Sequence, residues 1–269
     1  MPHQHTTPDH VNPLARLLAL DALVHEELIK QAVAVALSHT DIASVARIID
    51  VGVGTGAGAF ALVEEYSAAH VLGVDLDADM LAGVRQRADH RELGDRISTA
   101  LLDVGDPDFD AGVADLIWSS NVLHEVRDPA VALRNLFRSL RPGGVLVVME
   151  MDASPSVLPP SLQPVERALR VAAGADGLRV DWSGPLRAAG VDLLETRTAA
   201  SDQLLPADGA AGEYAALELQ RLLDHASPTL TEQIAAEVRD LVADLSGSHR
   251  RLTELHIRGT RTVWVARRL

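Results

Sequence analysis

Glycines fall at Gly52, Gly54, Gly56 and Gly58, directly behind Asp50 and the apolar run Val45–Val51. Gly52 and Gly54 permit a tight turn and let a ligand approach bare backbone across Val53. Gly56 lets the start of a helix pack against the preceding strand. Asp50, at the strand end, can anchor the turn or meet the positively charged end of a ligand. A glycine turn between strand and helix is a nucleotide-binding device, and two chemistries fit it. The spacing Gly52-Val-Gly-Thr-Gly-Ala57 matches the dinucleotide pattern G-x-G-x-x-[G/A], with Asp75 about the right distance on, which would make the chain an NAD(P)-dependent oxidoreductase. An acid immediately ahead of the glycines suits a cationic amino-acid ligand better than a pyrophosphate. Further along, Ser119-Ser-Asn121 and His124-Glu125 follow another short apolar run. His124 titrates near neutrality without perturbation and is the candidate general base. Asp106, Asp108 and Asp110 alternate like a calcium loop but lack its sixth-position glycine and terminal glutamate, so no metal site is expected.

These residues need a scaffold that gathers strand ends at one edge. From Pro13 to about Ser38, apolar residues recur at helical spacing, as one long helix or two shorter ones. Then strands and helices alternate: strand Val45–Val51, helix Ala59–Ser67, strand Val71–Val74, helix Ala78–Ala88, and strands Arg96–Leu102 and Ala114–Trp118. An amphipathic helix Pro129–Leu140 stops at Arg141-Pro-Gly-Gly144, and Val145–Met149 is the fifth strand. Such alternation implies right-handed βαβ units and a parallel sheet. Beyond Glu150, helices are expected near 162–172 and 182–189, strands at 192–198 and 260–266, and two helices at 212–223 and 229–245. The division is a leader over 1–11, then one domain over 12–269. That domain comprises N-terminal helices (12–44), a cofactor-binding core (45–150) and a substrate-side half (151–269) with a helical insertion at about 209–245.

The ordered set carries a family resemblance. Asp50-Val-Gly-Val-Gly-Thr-Gly56 resembles the acidic-x-Gly-x-Gly-x-Gly signature of class I S-adenosylmethionine-dependent methyltransferases. Gly73-Val-Asp-Leu-Asp-Ala-Asp-Met-Leu81 resembles their second motif, Leu102-Asp-Val104 their third, and Ala114–Asn121 with Leu140-Arg-Pro-Gly-Gly144 the fourth-strand motif and the turn before the fifth strand. The resemblance covers roughly residues 45–150, in the small-molecule, ubiquinone/menaquinone-methyltransferase-like branch. It implies an α/β fold, a Rossmann-like doubly wound, seven-stranded, mostly parallel sheet with an antiparallel last strand, N-terminal helices and a helical insertion. It also implies S-adenosyl-L-methionine as cofactor, with Asp75 receiving both ribose hydroxyls, Leu76 against the adenine face and Asp103 accepting from the adenine amino group. An ionised carboxylate is acceptor-only and can take two hydroxyls at once. The expected cofactor set is Asp50, Gly52, Val53, Gly54, Gly56, Asp75, Leu76, Asp103, Val104 and Ser119. Relatives often carry a second histidine after the position of His124; here Glu125 stands there. The Tyr-x-x-x-Lys pair of short-chain reductases is absent, because Lys30 is the only lysine and lies upstream.

Composition narrows the partners. A net charge of −14 disfavours a phosphate-backbone binder, so a small-molecule acceptor is expected rather than nucleic acid. The absence of cysteine excludes a disulfide framework, a thiolate metal site and a cysteine nucleophile. No apolar run reaches the length of a membrane span and no secretory signal is present, so a cytoplasmic protein is expected. Three readings stand: a methyltransferase acting on an O, N or C nucleophile in secondary or cofactor metabolism, an oxidoreductase, or a protein that binds S-adenosylmethionine without catalysis. Oligomeric state is not legible.

Overall fold

Residues 13–175, 177, 180–247 and 251–269 are described by the computed structural model; the leader at 1–11, with His3, His5 and His10, lies outside them. Seven strands form one sheet: β1 Arg47–Val51, β2 His70–Asp75, β3 Ile97–Leu101, β4 Ala114–Ser120, β5 Leu140–Met151, β6 Val191–Pro206 and β7 Glu254–Arg268. Their order is β3-β2-β1-β4-β5-β7-β6. β1 to β5 pair in parallel, while β7 runs antiparallel between β5 and β6. The expected seven-stranded, mostly parallel sheet with an antiparallel last strand is therefore the observed one.

The apolar run of β1 explains its central place. Successive side chains of a strand point to opposite faces, and both faces here meet a core. Ile48 joins α2 (Glu26–Ser38), α3 (Ala57–Glu65) and α4 (Ala78–His90) on one side. Ile49 joins α5 (Pro129–Arg138) and α7 (Ser183–Ala188) on the other. A strand buried on both faces needs continuous rather than alternating apolarity. Side-chain caps fix two helix starts beside the strand ends: Asp77 accepts from the Asp79 and Met80 N–H groups at α4, and Asp128, ahead of Pro129, from those of Ala130 and Val131 at α5.

The N-terminal segment resolves into α1 (Pro13–Val24) and α2, divided at His25. The largest departure from the sequence reading is the length of β6 and β7. They pair from Val191–Arg268 out to Pro206–Glu254, while β5 stops at Met151. The overhanging half carries the insertion, α8 (Gly209–His225) and α9 (Glu232–Ser246). A third core forms there: Leu20 and Val24 of α1, Leu169 of α6 (Gln163–Ala172), Leu219 and Leu222 of α8, Val238 of α9, and Leu255 and Ile257 of β7. Residues 199–206 read weakly as strand because their partner lies some fifty residues on, across the insertion. Non-local pairing of this kind leaves no mark in a local window.

Candidate functional site

A cavity of about 600 Å³ opens at the carboxyl ends of the parallel strands, where ligands sit in sheets of this type. Its floor is the loop after β1. Gly52, Gly54 and Gly56 all have positive φ, at 66°, 47° and 81°, a region that favours glycine. Both Gly52 N–H and Val53 N–H donate to the Val74 carbonyl, at 2.8 and 3.0 Å, tying the loop to β2. A Cβ on Gly52 would also stand 2.2 Å from the Val122 side chain. Sterics and backbone conformation therefore require the same residue.

Asp75, at the end of β2, accepts the Gly54 N–H on Oδ2 at 2.8 Å and the Asp77 N–H on Oδ1 at 3.0 Å. Each oxygen keeps a lone pair for a ligand, and two donors can still be received. Asp103 is oriented similarly, its Oδ1 accepting the Gly105 N–H at 2.7 Å. Gly52, Val53, Gly54, Asp75, Leu76, Asp103 and Val104 all line the cavity; Leu76 is strongly exposed, as a face awaiting a flat ligand would be.

Four of the residues expected at the site do not line the cavity. Asp50 is buried beneath the cavity, not in its wall. Burial pushes its carboxyl up to about 8; a bond from the Ala59 N–H lowers it and the charge of Asp75 raises it further. Its Oδ2 and the indole Nε1 of Trp118 have no partner among the described residues. Both crowd Gly58, where a Cβ would lie 2.9 Å from Oδ2 and 2.7 Å from Nε1. Gly56 caps α3 and faces Phe60 and Val84. Ser119 is fully buried, because strand alternation turns its neighbours Trp118 and Ser120, not Ser119, toward the cavity.

His124, the expected base, is the fourth. Glu150, a buried residue of β5, accepts the Val122 and Leu123 N–H groups on Oε1 and meets His124 Nδ1 on Oε2 at 2.5 Å. Glu125 Oε1 lies 3.2 Å from the other ring nitrogen. Held between two carboxylates and outside the cavity wall, the ring titrates higher than usual, chiefly through the Glu150 bond, with burial opposing. Clamping the loop is its visible role. That clamp presents Asn121, whose φ of 56° is rare for a side-chain-bearing residue, together with Ser120, Val122 and Glu125, to the cavity.

The opposite wall is built by residues the motifs do not include: Leu18, Asp21 and Ala22 of α1, Ile29 of α2 and Arg261 of β7. A signal for Asp21 exists in the sequence. It lies at helical spacing with Leu14, Leu17 and Leu18, a carboxylate on an otherwise apolar stripe. Asp152 accepts from the Thr262 hydroxyl, and Trp182 is buried in the second core. His256 meets Asp202, and His225 the Arg221 carbonyl. Asp106 and Asp110 accept N–H groups of their own loop, from Asp108 and Gly112. Among the described residues, no helix is long and apolar enough to cross a membrane.

Residues 49–148 match the model of a family described as a methyltransferase domain. Trans-aconitate 2-methyltransferase of Azoarcus sp. is 36% identical over 112 residues, 42% of this chain and 42% of that one. Demethylmenaquinone methyltransferase of Clavibacter sepedonicus is 35% identical over 109 residues, 40% of this chain and 42% of that one. The chain thus spans well under half the length of the curated relatives it matches. A solved structure, that of the [4+2]-cyclase SpnF, covers 89% of this chain and 80% of its own at 21% identity and a TM-score of 0.53, which shows the fold alone.

Proposed function

We propose that the chain, whose residues 49–148 match the model of a methyltransferase domain, transfers the methyl group of S-adenosylmethionine to a small-molecule acceptor. One observation carries the reading. The glycine loop, Asp75 and Asp103 stand on successive strand ends along one cavity, each carboxylate oriented by backbone N–H groups with acceptor capacity to spare. That order matches a ligand with an adenine, a ribose and an amino-acid arm. Asp103 and Val104 take the adenine edge, Leu76 its face and Asp75 the ribose hydroxyls. The amino-acid arm lies over the bare backbone of Gly52 and Gly54, near Ser120 and Asn121.

The cofactor supplies an already activated sulfonium methyl. The acceptor's lone pair forms the new bond to that carbon as the carbon–sulfur bond breaks, and sulfur keeps the electron pair. The chain's task is alignment, which can be worth about 7–11 kcal/mol, and exclusion of water. Leu18, Ala22, Ile29 and Trp118 give an apolar acceptor end suited to this. A small acceptor fits the charge of −14 and a cavity of about 600 Å³ better than a polymer does. A role in secondary or cofactor metabolism and a cytoplasmic location rest on the sequence expectations alone.

The placement of His124 favours a second reading, in which the chain binds S-adenosylmethionine without transferring its methyl group. Calorimetry with S-adenosylhomocysteine and with NADH tests the cofactor assignment. Micromolar binding of the former and none of the latter is expected, and the reverse would assign the cavity to a dinucleotide. Formation of S-adenosylhomocysteine from S-adenosylmethionine across an acceptor panel separates transfer from binding alone.

A further inference from the structure

The cavity continues past the glycine loop, and its residues follow the strand order. Asp103 stands after β3, Asp75 at the end of β2, the glycines after β1, Ser120 and Asn121 at the end of β4, and Arg261 on β7 opposite Met151 at the end of β5. On the methyltransferase reading, the cofactor occupies the stations from β3 to β1. The stretch beyond β4 is left for the acceptor. The loop after β4 brings Glu125, Arg127 and Asp128 to one side of it, and the facing wall from α1, α2 and β7 is apolar except for one ion pair, Asp21 of α1 with Arg261.

The two charges are not equally accessible. Arg261 is buried and donates to Asp21 Oδ2 at 2.5 Å. Tyr214 of α8, also buried, donates its hydroxyl to Oδ1 at 3.0 Å. His25 stands behind both, edge-on to Tyr214, with Nε2 3.9 Å from Asp21 Oδ1; burial lowers it to about 4, so it is neutral at physiological pH. The Asp21 side chain retains 20% of its exposure. Burial alone would raise its carboxyl, but the charge of Arg261 and the hydrogen bonds from Arg261 and Tyr214 hold the group below the usual carboxylate range. Three residues, from the α1–α2 turn, α8 and β7, thus converge on one carboxylate of α1 at the cavity wall.

We propose that Asp21 is the acceptor-positioning group of this cavity and selects acceptors whose nucleophile carries a hydrogen, a hydroxyl or an amine, over those presenting a free carboxylate. This rests on the methyltransferase reading. An ionised carboxylate can only accept hydrogen bonds, so it orients a donor. A second carboxylate brought against it is repelled, and the nearby Arg261 already has its counter-charge. The proposal also gives the insertion a function: α8 sends Tyr214 to fix Asp21, although among the described residues neither α8 nor α9 lines the cavity.

Three single-ring probes that differ in one group, phenol, benzylamine and benzoate, test this by calorimetry, with and without saturating S-adenosylhomocysteine. The wild-type chain should bind phenol and benzylamine at least tenfold more tightly than benzoate. Asp21→Asn keeps the shape, removes the charge and leaves Arg261 uncompensated, so benzoate should draw level or lead. Tyr214→Phe, which removes one bond to Asp21, should narrow the preference and serves as the second variant if Asp21→Asn does not fold. Equal binding of the three probes to wild type, no donor binding at millimolar concentration, or a preference unchanged in a folded Asp21→Asn would overturn the proposal. A merely structural ion pair would lower the unfolding midpoint and leave the preference alone. Failure of S-adenosylhomocysteine to bind would instead refute the methyltransferase reading, and the donor preference of the cavity would still be read without it.

Discussion

Asp75→Asn isolates one interaction of the proposed cofactor site. The carboxylate accepts the Gly54 N–H on Oδ2 and the Asp77 N–H on Oδ1, and each oxygen has capacity left for one ribose hydroxyl. An asparagine replaces one of those oxygens with a donor. Whichever way the amide turns, its NH2 faces one backbone N–H and cannot accept a hydroxyl. One hydrogen bond to a charged acceptor is lost, about 1.5–3 kcal/mol, which corresponds to roughly 10- to 150-fold in affinity. Asp75→Ala removes both, and the loss should be larger by a similar factor, reduced where water fills the space. Calorimetric titration of each variant with S-adenosylhomocysteine measures this, and ligand-free denaturation separates loss of the site from loss of the fold. A folded Asp75→Asn that binds within threefold of wild type would refute the ribose assignment.

Three further outcomes follow from the buried carboxylates. Asp50 titrates at about 8 in the folded chain against 3.8 for the free group. Its contribution to stability is complete below about pH 4 and is lost as pH rises through about 8, at up to roughly 1.4 kcal/mol per unit. His124, raised above 6.5, acts with the same sign. Urea midpoints at pH 6 and 9 should therefore fall for wild type and fall less for Asp50→Asn; identical slopes would contradict the buried, raised carboxyl. Glu150→Ala strands the Val122 and Leu123 N–H groups and releases His124. It should cost about 2–5 kcal/mol, seen in thermal unfolding as a midpoint roughly 5–15 °C lower, and a shift under 2 °C would count against the clamp. His124→Gln should keep S-adenosylhomocysteine affinity within twofold and turnover within about threefold; a hundredfold loss of turnover alone would restore the ring as a base.

The parallel half of the fold was legible because its signals are local. A doubly buried strand such as Arg47–Val51 must be apolar throughout, and the left-handed backbone at Gly52 and Gly54 favours glycine. Asp75 and Asp103 were legible for the same reason, since each bonds N–H groups close by in its own loop or in the glycine turn and sits at a strand end. Side-chain direction was not legible. Ser119 and Ser120 are neighbours of one type, and only the pairing of β4 with β1 and β5 decides which faces the cavity. His124 stood in the right loop, but Glu150, twenty-six residues on, captured its ring. Asp21 interrupts an apolar helical stripe, but its partners Tyr214 and Arg261 lie up to 240 residues away, so no spacing announces the cluster. The sequence by itself determined the glycine turn, the strand-end acids and the alternation that builds the sheet, because each is enforced by the backbone within a few residues. Only the tertiary structure decided what faces the acceptor end, because that wall is assembled from α1, α2, β4 and β7, whose contacts arise when non-local strands pair and helices close over them.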